Sequence, residues 1–410
     1  MIALIDCNNF FVSCERVFNP QLKEKPVLVL SGTGGCIIAR SNEAKKLGFT
    51  MGQPFHLIEH LIEKHKVYIF STNFTLYASM SNRIMRIISD EIEDFEIYSV
   101  DEAFLNLSRY KNPNDVCHKL RAKILKWTGI PVSIGIASSK TLAKVAASIA
   151  KKSPSGVFLL QETEREKILQ NLPIEDIWGI GYQWSKQLRL KGINSAYDLI
   201  SKPDGWLRKS LKVIGLRTAT ELRGEPCYDL KLTHSAKKGI TVSRSFTRRL
   251  KTLQEMEEAI ASFATTAAIK LRKECRLTRY ILPFIATNKF DKTQVYYKNS
   301  ILVGLEAATN FTPDIIKAAK AGVKQIFREG LHYKKCGVHL IDLIDEQTLT
   351  QDLFAPAQSA QQQKLMQLLD HINSQYGKDT LKFAAASGKE IFTGHNQLRS
   401  TWNGILQVKL

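Results

Sequence analysis

The sequence predicts a multidomain α+β protein, and three observations carry that prediction. At 410 residues the chain is too long for one simple core, so about two to four domains are expected. Strand-like and helix-like runs alternate over residues 1–165. The same mixed pattern returns over 241–345, after a helix-rich stretch and a polar, basic link.

In chain order, the apolar run Ile2–Ile5 reads as a strand that ends at Asp6, and "PVLVLS", "EIYSV" and "VSIGIA" are further strand candidates. Tyr77–Glu91 and Lys140–Lys152 carry the spacing of helices. Residues 167 to about 230 are helix-rich and punctuated by "WGIGYQW", "LKGIN" and "VIGLRT". The segment "KLTHSAKKGIT", Lys231–Thr241, is polar and basic and reads as a linker. Beyond it, Leu253–Cys275 reads as a helix, with "RYILPFIAT" and "CGVHLIDLI" as strands. Past Asp345 comes a polar, Gln-rich stretch without a core pattern, then a helical segment, Gln363–Gln375, and an irregular tail.

Composition narrows the function classes. Hydrophobic content of 44% with 24% charged residues is ordinary for a folded domain. The net charge of +19 points to a polyanionic partner, nucleic acid before an anionic membrane surface. Residues 231–300 alone hold fifteen Lys or Arg against five Asp or Glu, which suits a surface that tracks phosphates. No apolar run approaches the roughly 20 residues that span a bilayer, so no membrane partner is expected. The N-terminus lacks the basic region of a signal peptide. Seven cysteines without a C-x-x-C pair read as reduced thiols, which suits a cytoplasmic protein.

The stretch "EIYSVDEAFLNLS" places Asp101 and Glu102 inside a run that otherwise favours a buried strand. Charge there is costly unless it is paired or holds a metal. Asp6 stands in the same predicament at the end of the first strand. Three acids at the ends of apolar strands suggest a divalent metal site of the kind that serves phosphoryl transfer. Successive residues on a regular strand face opposite ways. A tight hairpin at Val100–Asp101–Glu102 is therefore required for both carboxylates to reach one site.

Residues suited to a nucleotide keep these acids company. Phe10 and Phe11 follow Asp6, where a ring could pack on a sugar and exclude a 2′-hydroxyl. Arg40, Lys45 and Lys46 lie near a predicted helix start, and Lys140, Lys144, Lys151 and Lys152 follow a Gly and a Ser pair. A helix start with lysines is a natural anion site. In Leu172–Ile200 two helices flank the turn Gly179-Ile180-Gly181, whose backbone N–H groups can hold one DNA phosphate. Lys186, Arg189 and Lys191 flank it. His56 and His60 would share a helix face, but apolar neighbours give them a structural role.

These residues, in this order, resemble the Y-family of translesion DNA polymerases in its UmuC branch, along essentially the whole chain. The likeness rests on "DCNNFFVSCERVFNP", "GCIIARSNEAKKLG", "STNFTLYASMSNRI", "IYSVDEAFLNL", "GIASSKTLAKVAA", "IWGIG", "LRGEPC" and "SRSF". It implies a right-hand polymerase: palm at 1–20 and 72–166, fingers at 21–71, a helix-hairpin-helix thumb at 167–230, a linker at 231–240, a little finger at 241–345 and a tail at 346–410. It implies that Asp6, Asp101 and Glu102, with the carbonyl of Cys7, hold two Mg²⁺ ions. Phe11 falls at the steric gate, and Phe10, Arg40, Lys45 and Lys151 at the nucleotide. Gly179, Gly181, Lys186, Arg244, Arg248 and Arg249 fall at DNA.

The implied activity is error-prone synthesis across damaged template in the SOS response, with primer–template DNA and dNTPs as substrates. A UmuD′-type dimer, a RecA filament and a sliding clamp are the implied partners. The clamp peptide candidate is "TQDLF", with Leu353 and Phe354 as its apolar anchors. The sequence departs from the family in three places. Phe11 stands where the nearest members carry Tyr, Asn42 and Lys45 stand where many carry Tyr and Arg, and Gln351 is one place late for the clamp motif. The rival readings are a non-catalytic DNA-binding accessory on a polymerase-like scaffold and a two-metal nuclease.

Overall fold

The computed structural model describes residues 1–32, 35–233, 236–348, 359–377 and 379–386. The described residues divide into two compact units, one up to residue 233 and one from residue 236 onward. In chain order the first unit runs β1 (Ile2–Cys7), α1 (Phe10–Phe18), β2 (Val27–Leu30), β3 (Ile37–Arg40), α2 (Asn42–Lys46), α3 (Phe55–Lys64), β4 (Tyr68–Ser71), α4 (Phe74–Glu91) and β5 (Phe95–Ile97). It continues with β6 (Glu102–Asn106), α5 (Pro113–Thr128), β7 (Val132–Ala137), α6 (Lys140–Ala150), β8 (Val157–Leu159), α7 (Glu162–Gln170), α8 (Tyr182–Arg189), α9 (Ala196–Ile200) and α10 (Asp204–Leu222).

Five of these strands form one sheet in the order β5-β6-β1-β7-β8. β1 is central and antiparallel to both neighbours, which is why Ala3, Leu4 and Ile5 are all buried and the run is apolar without alternation. One face carries Ala3, Ile5, Ala103, Leu105, Ile134 and Ile136 against α1, α4 and α5. The other carries Leu4 and Phe104 against α6 and the helices of 162–222. A separate three-stranded sheet, β3-β2-β4, has its own small core around Leu28, Leu30, Ile37 and Phe49.

Helix starts follow local capping. Asn73 accepts from Leu76 N–H at 3.1 Å, so α4 begins at Phe74 rather than at the expected Tyr77. Ser139 caps α6 through Leu142 N–H at 3.3 Å. α6 ends at Ala150, two residues short of its predicted end, leaving Lys151 as the C-cap. α10 is broken at Lys212, whose φ of 61° is left-handed.

α6 lies hard against the sheet, and one glycine permits it. A Cβ built on Gly135 of β7 would stand 2.0 Å from Ala147 N and 2.5 Å from Ala143 O. The seam Ala143, Ala146, Ala147 completes the close approach. Gly135→Ala is expected to force the helix outward, costing about 1–3 kcal/mol of stability. Thermal unfolding checks that cost, and a wild-type midpoint would show that the seam can yield.

Buried Glu221 ties the end of α10 back to α6. It accepts from Thr141 N–H and Oγ1 at 2.8 and 2.7 Å, and from Cys227 and Tyr228 N–H at 3.0 and 3.1 Å. Glu96 pairs with buried Lys140 and accepts from Lys231 N–H at 2.9 Å. The first residue of the predicted linker is thus pinned to the first unit.

The second unit runs β9 (Gly239–Leu250), α11 (Leu253–Lys273), β10 (Arg276–Thr287), β11 (Lys298–Ser300), β12 (Val303–Thr309), α12 (Thr312–Ile326), β13 (Tyr333–Asp345) and α13 (Ala360–Gln375). β9 starts two residues inside the expected linker. The sheet order is β11-β10-β13-β9, with β12 also on β10. Ile240, Phe246, Ile281, Ile285, Cys336, Val338 and Leu340 face α11 and α12. The other face is open, and there Phe284 lies across Gly337: a Cβ on that glycine would meet Phe284 Cζ at 2.8 Å.

α13 opens three residues before its expected start, because Ser359 and Gln362 form a capping box. It is anchored by buried Met366 and by Asp370, which takes two hydrogen bonds from Arg272 at 2.7 and 2.9 Å.

Candidate active site

Asp6 and Glu102 are directly opposed in the β1–β6 register, so both side chains project from one face of the sheet. It is the face covered by α6. Lys144 and Lys151 lie two helical turns apart and reach one carboxylate each. Lys151 Nζ meets Asp6 Oδ2 at 2.6 Å, and Lys144 Nζ meets Glu102 Oε1 at 2.8 Å. The chain between β5 and β6 turns at Tyr98–Asp101, where Tyr98 and Ser99 N–H both donate to Glu102 O at 3.0 and 3.1 Å. The bend thus falls earlier than the expected Val100–Asp101–Glu102, and Glu102 is already the first residue of β6. Asp101 O accepts from Cys7 N–H at 2.9 Å, and its Oδ1 accepts from Ser99 Oγ at 2.7 Å.

A cavity of about 310 Å³ opens beside these acids. Its lining includes Asp6, Cys7, Phe10, Phe11, Arg40, Lys45, Asp101 and Lys151. Eight residues singled out from the sequence therefore share one pocket, although they come from β1, α1, β3, α2, the β5–β6 turn and the end of α6. Glu102 does not line it; it stands on the neighbouring strand with Lys144. Sequence reasoning missed Asn9 and Met51, which line the same cavity. Asn9 is left-handed (φ 47°), a conformation that Asn tolerates better than most residues. From there its Oδ1 accepts from Lys45 Nζ at 2.6 Å and its Nδ2 donates to Asn42 Oδ1 at 3.1 Å.

The electrostatics are those of crowded anions in little water. Burial pushes the Asp6 carboxyl up to about 6; Lys151 offsets part of this, and Glu102 and Asp101 add to it. Burial also raises the Cys7 thiol well above its usual range. Lys45 is lowered, by burial first and then by Arg40 and Lys151. Among the described residues no group of three or more His, Cys, Asp or Glu side chains is arranged to hold a metal ion. Asp6 and Asp101 line the cavity as hard oxygen donors of the kind Mg²⁺ prefers, an ion that keeps waters and takes substrate phosphate oxygens. The two lysine ammoniums occupy positions where positive charge is already favoured.

Lys144 had no assigned partner in the sequence. Its ammonium lies 4.7 Å from the Tyr98 ring centroid, 5.4 Å from Trp178 and 6.0 Å from Phe104. Trp178 Nε1 donates to Tyr98 Oη at 3.2 Å and closes this aromatic surround. Trp178 immediately precedes the Gly179-Ile180-Gly181 turn. There Gly179 is left-handed (φ 88°) and Gly181 caps α8 with no side chain on its N–H groups.

The remaining predicted residues are placed as follows. Lys186 is exposed on α8, Arg189 is paired with Glu175 at 2.5 Å, and Lys191 lies over the Trp206 ring. In the second unit Arg244 is exposed on edge strand β9 and makes no ion pair among the described residues. Arg248 is paired with Glu255 at 2.6 Å and Arg249 with Asp291 at 2.5 Å. Leu353 and Phe354 lie outside the described residues. Among the described residues no helix is long and apolar enough to cross a membrane.

Residues 5–148 match the impB/mucB/samB family and residues 237–353 match its C-terminal domain. Residues 363–403 match a domain of unknown function. The chain is 42% identical to protein UmuC of Salmonella typhimurium, over 94% of this chain and 93% of that one. It is 38% identical to protein MucB of Escherichia coli, over 98% and 96%. A solved Y-family DNA polymerase chimera superposes with a TM-score of 0.68 at 24% identity, covering 84% of this chain and 99% of the other, which establishes the shared fold. The chain belongs to the impB/mucB/samB family and is a Y-family DNA polymerase of the UmuC type.

Proposed function

We propose that this polymerase copies damaged template, in an error-prone way, as part of the SOS response in the cytoplasm. The observation that carries the reading is the single cavity in which Asp6 and Asp101 face Arg40, Lys45 and Lys151 beside the Phe11 ring. In this reading the five-stranded sheet is the palm and the β3-β2-β4 layer the fingers. The helices of 162–222 are the thumb and the β9–β13 unit the little finger.

Asp6, Asp101, Glu102 and the Cys7 carbonyl would hold two Mg²⁺ ions, whose contribution is to neutralise charge on the attacking and leaving oxygens. Arg40, Lys45 and Lys151 present cations to the triphosphate, and binding in the pocket orients its α-phosphorus toward the primer 3′-hydroxyl. The hydroxyl gives up its proton to water and attacks the α-phosphorus in line, the bond from that phosphorus to the oxygen bridging to the β-phosphate breaks, and pyrophosphate leaves. Phe11 fills the space a ribose 2′-hydroxyl needs. The N–H groups at Gly179–Gly181, with Lys186, Arg244, Arg248 and Arg249, hold duplex phosphates without reading bases, so Arg248 and Arg249 exchange their carboxylate partners for DNA. A UmuD′-type dimer, a RecA filament and, through Leu353 and Phe354, a sliding clamp are the partners.

The test is extension of a 5′-labelled primer on intact and abasic templates with Mg²⁺ and dNTPs, with and without a UmuD′-type dimer and RecA filament. The labelled strand should lengthen past the lesion. A strand that shortens indicates a nuclease, and one bound but unchanged in every mixture indicates an accessory protein.

A further inference from the structure

Phe11 does not stand as a lone ring. It lies nearly face to face on Tyr77, with centroids 4.3 Å apart and planes 15° from parallel. Phe74 meets both rings edge-on, at 6.2 Å from Phe11 and 6.3 Å from Tyr77. Tyr77 is 1% exposed, and its hydroxyl donates to Glu15 Oε1 at 2.7 Å. Glu15 is itself buried and has no cationic partner among the described residues; burial raises its carboxyl above the ordinary range. Phe11 and Glu15 sit one turn apart on α1, at i and i+4, and therefore share a face. Tyr77 of α4 spans both: its ring covers Phe11 and its hydroxyl reaches Glu15.

This geometry bears on selectivity. A phenyl ring excludes a hydroxyl only to the extent that it cannot turn aside. An unsupported ring rotates among staggered positions at small cost. A stacked partner on one side and an edge partner on another remove that freedom, and the hydrogen bond to Glu15 stops the stacked partner from sliding. Tyr77 is not among the residues lining the cavity, so it acts through Phe11 rather than on the nucleotide.

We propose that Tyr77, fixed by Glu15 and buttressed by Phe74, is a specificity-determining positioning residue that holds the Phe11 ring against the sugar and sets how strongly ribonucleotides are refused. The inference rests on the reading of Phe11 as the sugar gate.

The experiment measures kcat/KM for a dNTP and for the matching rNTP on the full chain. The variants are Phe11→Ala, Tyr77→Leu, Tyr77→Phe and Phe74→Ala, with thermal unfolding recorded for each. Phe11→Ala should cut the dNTP-to-rNTP ratio by about a hundredfold or more. Tyr77→Leu should cut it about tenfold, chiefly by raising rNTP incorporation. Tyr77→Phe keeps the stack but loses the bond to Glu15 and should lower the ratio by about threefold, less than Tyr77→Leu does. Phe74 is 66% exposed, so Phe74→Ala folds and decides the matter if Tyr77→Leu does not; it should lower the ratio by about threefold or more. A merely structural role would lower both substrates together and leave the ratio fixed. An unchanged ratio in both Tyr77→Leu and Phe74→Ala, with the Phe11→Ala effect intact, overturns the proposal and keeps the gate. An unchanged ratio in Phe11→Ala removes the gate itself.

Discussion

Asp101→Ala should give a protein that binds primer–template DNA normally and adds no nucleotide. The side chain's hydrogen bond in the structure is to Ser99 Oγ, two residues away. The bond that fixes the turn to β1, from Cys7 N–H to Asp101 O, is backbone and survives the substitution. Stability should therefore change by less than about 1 kcal/mol. Asp101 is, however, one of two carboxylates lining the cavity, and removing it takes away an oxygen ligand from the place where, in the proposed reading, two dications would be held. A fall in extension of at least about a thousandfold is expected, equivalent to about 4 kcal/mol of barrier. Gel-resolved extension and fluorescence anisotropy on one DNA duplex separate the two effects. Measurable extension by this variant would remove Asp101 from the chemistry.

Asp6→Asn should also stop synthesis, yet make the metal-free protein more stable. Burial raises the Asp6 carboxyl from 3.8 to about 6. The folded state thus binds its proton more tightly than the unfolded chain does. Stability is greatest below about pH 4, falls as pH rises toward 6, and stays lower above it. The shift corresponds to about 3 kcal/mol at neutral pH, with the Lys151 contact already counted within it. In a chelator, urea unfolding at pH 7 should find Asp6→Asn more stable by up to that amount, and its stability nearly flat between pH 4 and 6. Adding Mg²⁺ should raise the midpoint of the wild type and leave the variant's unchanged. Equal Mg²⁺ responses from both proteins would take Asp6 out of the metal site. The functional carboxylate is then a cost to the fold that metal offsets.

Most of the first unit's architecture was legible because local rules and the global fold agree. The unbroken apolar run Ile2–Ile5 signalled a strand, and the paired acids at 101–102 demanded a turn that the chain supplies slightly earlier, at Tyr98–Asp101. Ser139 marks a helix start that a simple cap explains, whereas the Asn73 cap was passed over and α4 begins before the expected Tyr77. The break of α10 falls at Lys212, directly before the "VIGLRT" punctuation, on a residue that is neither Gly nor Pro. Charge was read less well than shape. Lys144 and Lys151 looked like anion-binding lysines, but each sits on a carboxylate. Arg248 and Arg249 looked like free phosphate contacts, but both are paired within their own unit.

The sequence by itself determined which residue types stand at strand ends, helix starts and Gly turns, because backbone preference and hydrophobic period act over a few neighbours. It also determined the chemistry on offer: acids, lysines and two rings placed after Asp6. Only the tertiary structure decided which charges meet and which ring backs which. The Asp6–Glu102 register, the close seat of α6 on Gly135, the Tyr77 bridge between Phe11 and Glu15 and the Lys151–Asp6 pair join residues up to 145 positions apart. Such pairings depend on how whole elements pack, to within a fraction of a side chain's length, and no local pattern in the chain encodes that.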